Sequence, residues 1–267
     1  MLETLDAQRV EELLRPGGPW TRLAFVAETG STNTDLAHWA REGRAEAGTV
    51  LVTELQRAGK GRQGRGWQAP PGRALTFSSL LHPKVPAPRW GWLPLLAGIS
   101  LRDAVTEATG VSARLKWPND LLAPDGRKLA GVLAERVEVG EAALAVIGIG
   151  LNVSQRDDEL PAPSATSLVL AGAGEVDRES LLARILDELG ARLLAWEAAG
   201  GDPDQGLRKA YRQCSATLGT LVRVALPTGD VLAGTALDVD HEGCLVVRPE
   251  GSAEVVAVAA GDVVHVR

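Results

Sequence analysis

From Gln56 to Trp67 the chain sets Gly59, Gly61, Gly64 and Gly66 among Arg57, Lys60, Arg62 and Arg65, with no acidic residue. The glycines free the backbone to turn and let its N–H groups approach a ligand closely, and the cations add charge to that approach. The pattern predicts a loop that wraps an anion, a phosphate or a carboxylate, with backbone donors and fixed cations together. The plainer alternative is a solvated basic loop. The surroundings favour the anion site, because no Asp or Glu occurs between Glu54 and Asp103 although the whole chain carries a net charge of −6. A local positive field on an acidic protein suits a small anionic ligand better than a long polyanion, which needs a broad basic face.

Two phosphate-binding patterns come close and fail. Gly59-Lys60-Gly61-Arg62-Gln63-Gly64 has the spacing of the dinucleotide fingerprint, and Thr49–Thr53 ahead of it reads as a strand. That fold needs a helix directly afterwards, and Pro70, Pro71 and Gly72 stand where it would begin. A Walker A loop is excluded because Arg65-Gly66 occupies the place of its Lys-Ser/Thr pair.

With 267 residues, 45% hydrophobic and 23% charged, the chain has the composition of a soluble globular protein of about two domains. Cys214 and Cys244 are not spaced as a disulfide scaffold, and buried thiols in a reducing cytoplasm are the simpler expectation. The N-terminus lacks a basic head and an apolar segment, and no run is long enough to span a membrane. His38, His82, His241 and His265 are scattered without ligand spacing, against a zinc site.

Hydrophobic periodicity and turn signals divide the rest. Helices are expected over residues 3–15, 33–42, 93–109, 178–199, capped by Asp177, and 204–213. Strands are expected over 23–26, 49–54, 74–81 and 113–117, and over the apolar runs 129–139 and 142–149, which Gly140-Glu141 separates as adjacent antiparallel strands. Residues 153–177 are Ser-, Pro- and Gly-rich and read as irregular. From Gly219 onward, five short β runs separated by turn signals predict a small β-barrel. The fold class is α+β: a catalytic domain over 1–213, with helices packed on a mixed sheet, and a β-barrel domain over 214–267.

Lys116-Trp117-Pro118-Asn119-Asp120 is the next dense stretch. It places an ammonium, an aromatic, a rigid turn, an amide and a carboxylate side by side, as binding a metal-complexed phosphate beside a planar group requires. Lys128 falls at the mouth of a strand, in a chain with five lysines against 23 arginines. Asn152 follows the end of another strand, where its amide either reads a base edge or forms a turn. Ser31, Thr32 and Asn33 open a helix as caps or as ligand contacts. No Ser–His, Cys–His or carboxylate pair is evident, so electrostatic catalysis is expected. Attack of a carboxylate on the α-phosphate of ATP suits it, since cations supply most of what two meeting anions need.

The glycine-rich loop, Lys116-Trp117-Pro118-Asn119-Asp120, Lys128-Leu129-Ala130-Gly131 and Gly148-Ile149-Gly150-Leu151-Asn152, in that order, together with Gly30-Ser31-Thr32-Asn33 and the small β region at the end, resemble the biotin protein ligases across nearly the whole chain. That resemblance implies activation of biotin by ATP to biotinyl-5′-AMP, then transfer to a lysine of the biotin carboxyl carrier protein of acetyl-CoA carboxylase or a similar enzyme. It implies that Ser31, Thr32, Asn33 and Gln56 bond the biotin ring, with Lys60, Gly61 and Gly131 nearby. Arg62 and Lys128 would hold the carboxylate against the α-phosphate. Gly59, Arg65, Trp67, Asn119 and Asn152 would contact the adenylate, with Lys116 and Asp120 near the phosphates and Mg2+. Lys60 departs from the resemblance, since arginine is frequent there. So does the short stretch before Leu23, which has no room for the DNA-binding winged helix of some members, so DNA is not an expected partner. A homodimer is left open. The rivals are a lipoate or octanoate ligase, whose apolar substrate does not call for so polar a cluster, and a nucleic-acid-binding module, which the acidic C-terminal region opposes.

Overall fold

A computed structural model describes residues 4–226, 229–259 and 261–265. Glu3, the first residue of the expected N-terminal helix, lies outside them. That helix, α1, is shorter than its pattern, Ala7–Leu13, and is capped by the Asp6 carboxylate, which accepts from the N–H groups of Gln8 and Arg9.

The main sheet has seven strands: β1 (Arg22–Thr29), β2 (Thr49–Gln56), β5 (Ala74–Leu81), β6 (Arg114–Lys116), β7 (Asp120–Leu122), β8 (Lys128–Val139) and β9 (Ala142–Asn152). Two further short strands, β3 (Gly59–Lys60) and β4 (Gly66–Trp67), pair only with each other inside the glycine-rich loop. The order is β1-β2-β5-β9-β8-β7-β6. β1 and β2 are parallel, and helix α2 (Thr32–Arg41) supplies the crossover that parallel neighbours need. The other neighbours are antiparallel, so the sheet is mixed as expected. β7 was not anticipated; it is the return arm of the hairpin that the Pro118-Asn119 turn closes.

Alternation along the strands sends side chains to two cores. Val50, Val52, Leu75, Phe77, Ile147 and Ile149 join the large core under helices α3 (Leu93–Thr109) and α4 (Arg178–Ala198). The opposite parity, Leu51, Leu80, Val137, Leu144 and Val146, packs under α2 with Leu36, Ala37 and Ala40. Along that second face the rows change character in one direction. Leu80 gives way to Ser78 and Thr76 on β5, Val137 to Glu135, Leu133 and Gly131 on β8, and Val146 to Gly148, Gly150 and Asn152 on β9. The apolar core therefore runs out into a polar, glycine-floored recess on the same sheet face.

Helix α5 is Leu207–Cys214, shifted from the expected 204–213. The five C-terminal strands, β10 (Leu221–Ala225), β11 (Val231–Val239), β12 (Leu245–Pro249), β13 (Val256–Val258) and β14 (Asp262–His265), form one antiparallel sheet in the order β13-β12-β11-β10-β14. It is docked on the rest of the chain by indole donors: Trp92 Nε1 to the Asp240 carbonyl at 3.0 Å and Trp117 Nε1 to the Gly243 carbonyl at 3.2 Å. No described helix is long and apolar enough to cross a membrane.

Candidate active site

The recess is a cavity of about 370 Å3, walled by the start of α2, the end of β2, the glycine-rich loop, the 116–120 turn, segment 161–165 and strand β14. Every site residue anticipated from the sequence lines it except Gly59. Gly59 is set back in tight packing, where a Cβ would lie 2.2 Å from the Trp67 carbonyl oxygen and 2.5 Å from Gln56 Nε2.

One end is polar and buried. Ser31 occupies the α2 N-cap position but makes no side-chain capping bond, so simple capping does not explain it. The Thr32 N–H donates to Gln56 Oε1 at 2.8 Å, and Thr32 Oγ1 lies 3.1 Å from the same oxygen. Ser78 Oγ, fully buried beneath, lies 2.6 Å from both Thr32 Oγ1 and Asn33 Oδ1. Asn33 Nδ2 donates to Glu135 Oε2 at 2.7 Å and to the Leu133 carbonyl at 3.3 Å. Both hydrogens of the Asn33 amide are thus committed within the protein, which leaves it acceptor capacity only. Gly148 makes room for this group, since a Cβ there would sit 2.1 Å from Asn33 Oδ1.

The other end is cationic. Lys128 Nζ is 2.6 Å from Asp120 Oδ1 across the β7–β8 pair. Arg65 is ion-paired with Asp262 of β14. Arg62 Nη2 reaches the Gly261 carbonyl at 3.5 Å, while its Nε is buried without a hydrogen-bond partner. Burial lowers the Arg62 pKa; the charge of Asp262 opposes that shift, Arg65 adds to it, and Asp120 opposes it again. A guanidinium stays charged regardless, so the site holds a partly desolvated cation, a strong partner for an anion. The loop carrying it is a single 3-10 turn, Arg62–Gly64, closed by Gly61 N–H donating to the Arg65 carbonyl at 2.6 Å. Gln63, with φ of 55°, takes the left-handed conformation at the loop tip.

Between the two ends the Trp67 indole lies on the glycine floor of β8 and β9, with its Nε1 buried and unpartnered. The two asparagines serve as struts. Asn119 Nδ2 donates to the Val132 carbonyl at 2.8 Å. Asn152 Nδ2 donates to the Thr166 carbonyl at 2.9 Å and its Oδ1 accepts from Gln155 Nε2 at 2.8 Å. Asn152 thus lines the cavity while tying the end of β9 to Gln155 and Thr166, and segment 161–165 is tied down beside it through Lys128 N–H to the Ser164 carbonyl at 2.8 Å. Sequence reasoning missed Ser78, Glu135 and Asp262. Only Ser78 carried a local signal, as one of three polar residues, with Thr76 and Ser79, in a strand buried throughout.

A mixed sheet with a polar recess facing a cationic loop is a site built for a small anionic ligand, and residues 26–152 match the biotin/lipoate A/B protein ligase family. The chain belongs to that family. It is 42% identical over 261 residues to the biotin--[acetyl-CoA-carboxylase] ligase of Mycobacterium tuberculosis, covering 96% of this chain and 94% of the relative. It is 31% identical to the ligase of the same name from Paracoccus denitrificans, covering 88% and 98%. Among solved structures, the biotin protein ligase from Aquifex aeolicus in complex with biotin and ATP superposes with a TM-score of 0.75 at 28% identity, over 93% of this chain and all of that one.

Proposed function

We propose that the protein is an ATP-dependent biotin protein ligase that biotinylates the carrier protein of acetyl-CoA carboxylase. The observation that carries this reading is the two-ended cavity: a buried cluster of urea-matching acceptors and donors at Thr32, Asn33 and Gln56, joined by a glycine floor to converging cations at Arg62 and Lys128. The polarity of the first end favours biotin over lipoate or octanoate, whose apolar chains would leave those groups unpaired.

A carboxylate oxygen of biotin attacks the α-phosphorus of ATP, an acyl–phosphate bond forms, and the bond to the β-phosphate breaks to release pyrophosphate. Arg62 and Lys128 reduce the repulsion between the two anions and stabilise the charge of the transition state. Lys116 attends the phosphates. Magnesium comes with the nucleotide as MgATP, and Asp120 is the carboxylate the chain offers it, since one carboxylate with substrate phosphates suits Mg2+. Trp67 offers a flat face to the adenine, and Arg65, with Arg62, holds the loop over the anhydride and away from water. In the second half-reaction the neutral carrier lysine attacks the acyl carbon and AMP leaves.

The same reading divides the chain into a catalytic domain, 1–213, and a small β domain, 214–267. The change from helix to the β10–β14 sheet after Cys214 supports it. It also places the protein in the cytoplasm, supported by the free thiols Cys214 and Cys244, whose pKa values burial raises to about 11.

The test is incubation with biotin, MgATP and a biotin carboxyl carrier domain, followed by intact mass. One biotin per carrier is expected, with AMP and pyrophosphate formed in equal amounts. A carrier of unchanged mass, with no ATP cleavage triggered by biotin, refutes the assignment.

A further inference from the structure

At Thr32 and Ser78 the polar end of the cavity has more close oxygen contacts than hydroxyl protons. Ser78 Oγ is 2.6 Å from Thr32 Oγ1 and 2.6 Å from Asn33 Oδ1, and Thr32 Oγ1 is 3.1 Å from Gln56 Oε1. Three contacts thus share two hydroxyl protons, because amide oxygens only accept. The direction of each bond is settled from the far end. Glu135 Oε2 is 2.7 Å from Asn33 Nδ2, and a carboxylate only accepts, so Asn33 must turn its NH2 toward Glu135 and the Leu133 carbonyl. Its Oδ1 therefore faces Ser78, and the single Ser78 proton goes to it. Ser78 Oγ can then only accept at its other 2.6 Å contact, which takes the Thr32 hydroxyl proton.

Thr32 Oγ1 consequently presents lone pairs, not a proton, to the cavity. Gln56 Oε1 is oriented by the Thr32 N–H at 2.8 Å and presents a lone pair 3.1 Å away. Two acceptors side by side in a buried place are costly unless a donor lies between them.

We propose that Glu135 and Ser78, neither of which lines the cavity, fix Thr32 Oγ1 as a hydrogen-bond acceptor, so that this end of the site selects a ring N–H over an isosteric ring oxygen. They are positioning residues, acting through Asn33 and Thr32, and the selection rests on biotin being the ligand. A ring oxygen in place of that N–H would meet two oxygens and no proton. Removing Ser78 frees the Thr32 hydroxyl to turn and donate. Converting Glu135 to an amide lets the Asn33 side chain flip and the chain of donors run the other way.

The test compares the affinities of biotin and of its two cyclic carbamates, each with one ureido N–H replaced by oxygen, by calorimetry on wild type, Ser78→Ala and Glu135→Gln. With wild type, one carbamate should bind roughly 10- to 100-fold more weakly than biotin, the scale of a buried acceptor left without its donor. In Ser78→Ala that ratio should shrink at least about tenfold, and in Glu135→Gln part of the way, because the hydroxyl can now donate. A merely structural role would lower affinity for biotin and carbamates alike and leave the ratio unchanged. An unchanged ratio in both variants, with biotin still bound by wild type, overturns the proton chain and leaves the ligase assignment standing. Failure of wild type to bind biotin overturns both.

Discussion

The Trp67 indole occupies the space that a side chain at Gly150 would need: a Cβ on Gly150 would lie 2.2 Å from Cε2 and 2.6 Å from Nε1 of the indole. Gly131, on the neighbouring strand β8, faces the same ring, with Cζ3 3.9 Å from where its Cβ would be. The glycine-rich loop is thus seated on the sheet by an aromatic ring against bare backbone. Gly150→Ala should leave the sheet folded, since alanine suits a strand, but push Trp67 off its seat. Nucleotide affinity is expected to fall roughly 5- to 100-fold, the scale of one lost base–aromatic stack, while biotin affinity stays within a few-fold. Calorimetric titration with each ligand measures both, and equal losses for the two would mean that Trp67 does not serve the nucleotide.

Lys128 Nζ lies 2.6 Å from Asp120 Oδ1 at the cationic end. Its charge matters most where carboxylate and α-phosphate meet, so Lys128→Ala should slow adenylation far more than it weakens biotin binding. A drop in kcat of about 100- to 1000-fold is expected, the scale of one lost electrostatic contact to a transition state, with biotin Kd changed only a few-fold. Pyrophosphate release and calorimetry separate the two. Parallel losses would make Lys128 a plain binding residue.

Glu54 and Arg178 form a buried ion pair at 2.8 Å, with side chains 10% and 9% exposed. The Glu54 carboxylate also accepts from the N–H groups of Leu5 at 2.7 Å and Gly72 at 3.0 Å. Burial pushes the Glu54 pKa up, and the bonds from Arg178, Leu5 and Gly72 more than reverse it, so the net shift is downward. Arg178→Leu would leave that carboxylate buried with two N–H donors but no counter-charge. The expected loss is about 3–5 kcal/mol of stability, with less from the paired change Glu54→Gln/Arg178→Leu. Urea unfolding at neutral pH measures both. A single variant as stable as the double would show that the pair is not energetically coupled.

Much of the architecture was legible because it is written in local periodicity. The 74–81 strand and the 93–109 helix fall where their patterns put them, and Asp177 caps its helix through the N–H groups of Glu179 and Ser180. The site motifs were legible as clusters of chemistry. Their wiring was not, because it depends on pairings between distant segments: Asn33 meets Glu135 across 102 positions and Arg65 meets Asp262 across 197. The glycines of β9 stood out as a motif, but their purpose, room for Asn33 and Trp67, appears only once α2 and the loop are laid across the strand. The short strand β7 was hidden for a different reason, since three residues after a turn carry no periodicity of their own.

His265, on β14, reaches the catalytic part of the chain through Thr217: its Nε2 lies 3.1 Å from Thr217 Oγ1, which accepts from the Trp117 N–H at 3.0 Å. Burial, and then the charges of Lys116 and Arg114, hold its pKa below the ordinary histidine value of 6.5. As pH falls, the unfolded chain binds this proton first, at about 6.5, while the folded protein resists it. The stability that depends on a neutral His265 is therefore fully present above about pH 6.5 and is lost as the pH drops through the lower folded value. Carboxylates with depressed values, such as Asp177 and Asp238, titrate from an unfolded value of 3.8 and enter only at lower pH. The interval from about pH 7.5 to 5.5 thus sets histidine titration apart from that of the carboxylates, and a variant at His265 singles out this imidazole. His265→Gln keeps a polar partner for Thr217 but cannot take up the proton. Its urea midpoint should fall less than that of the wild type between those two pH values. If both proteins lose the same amount, another group governs the acid limb and His265 does not couple the β14 strand to pH.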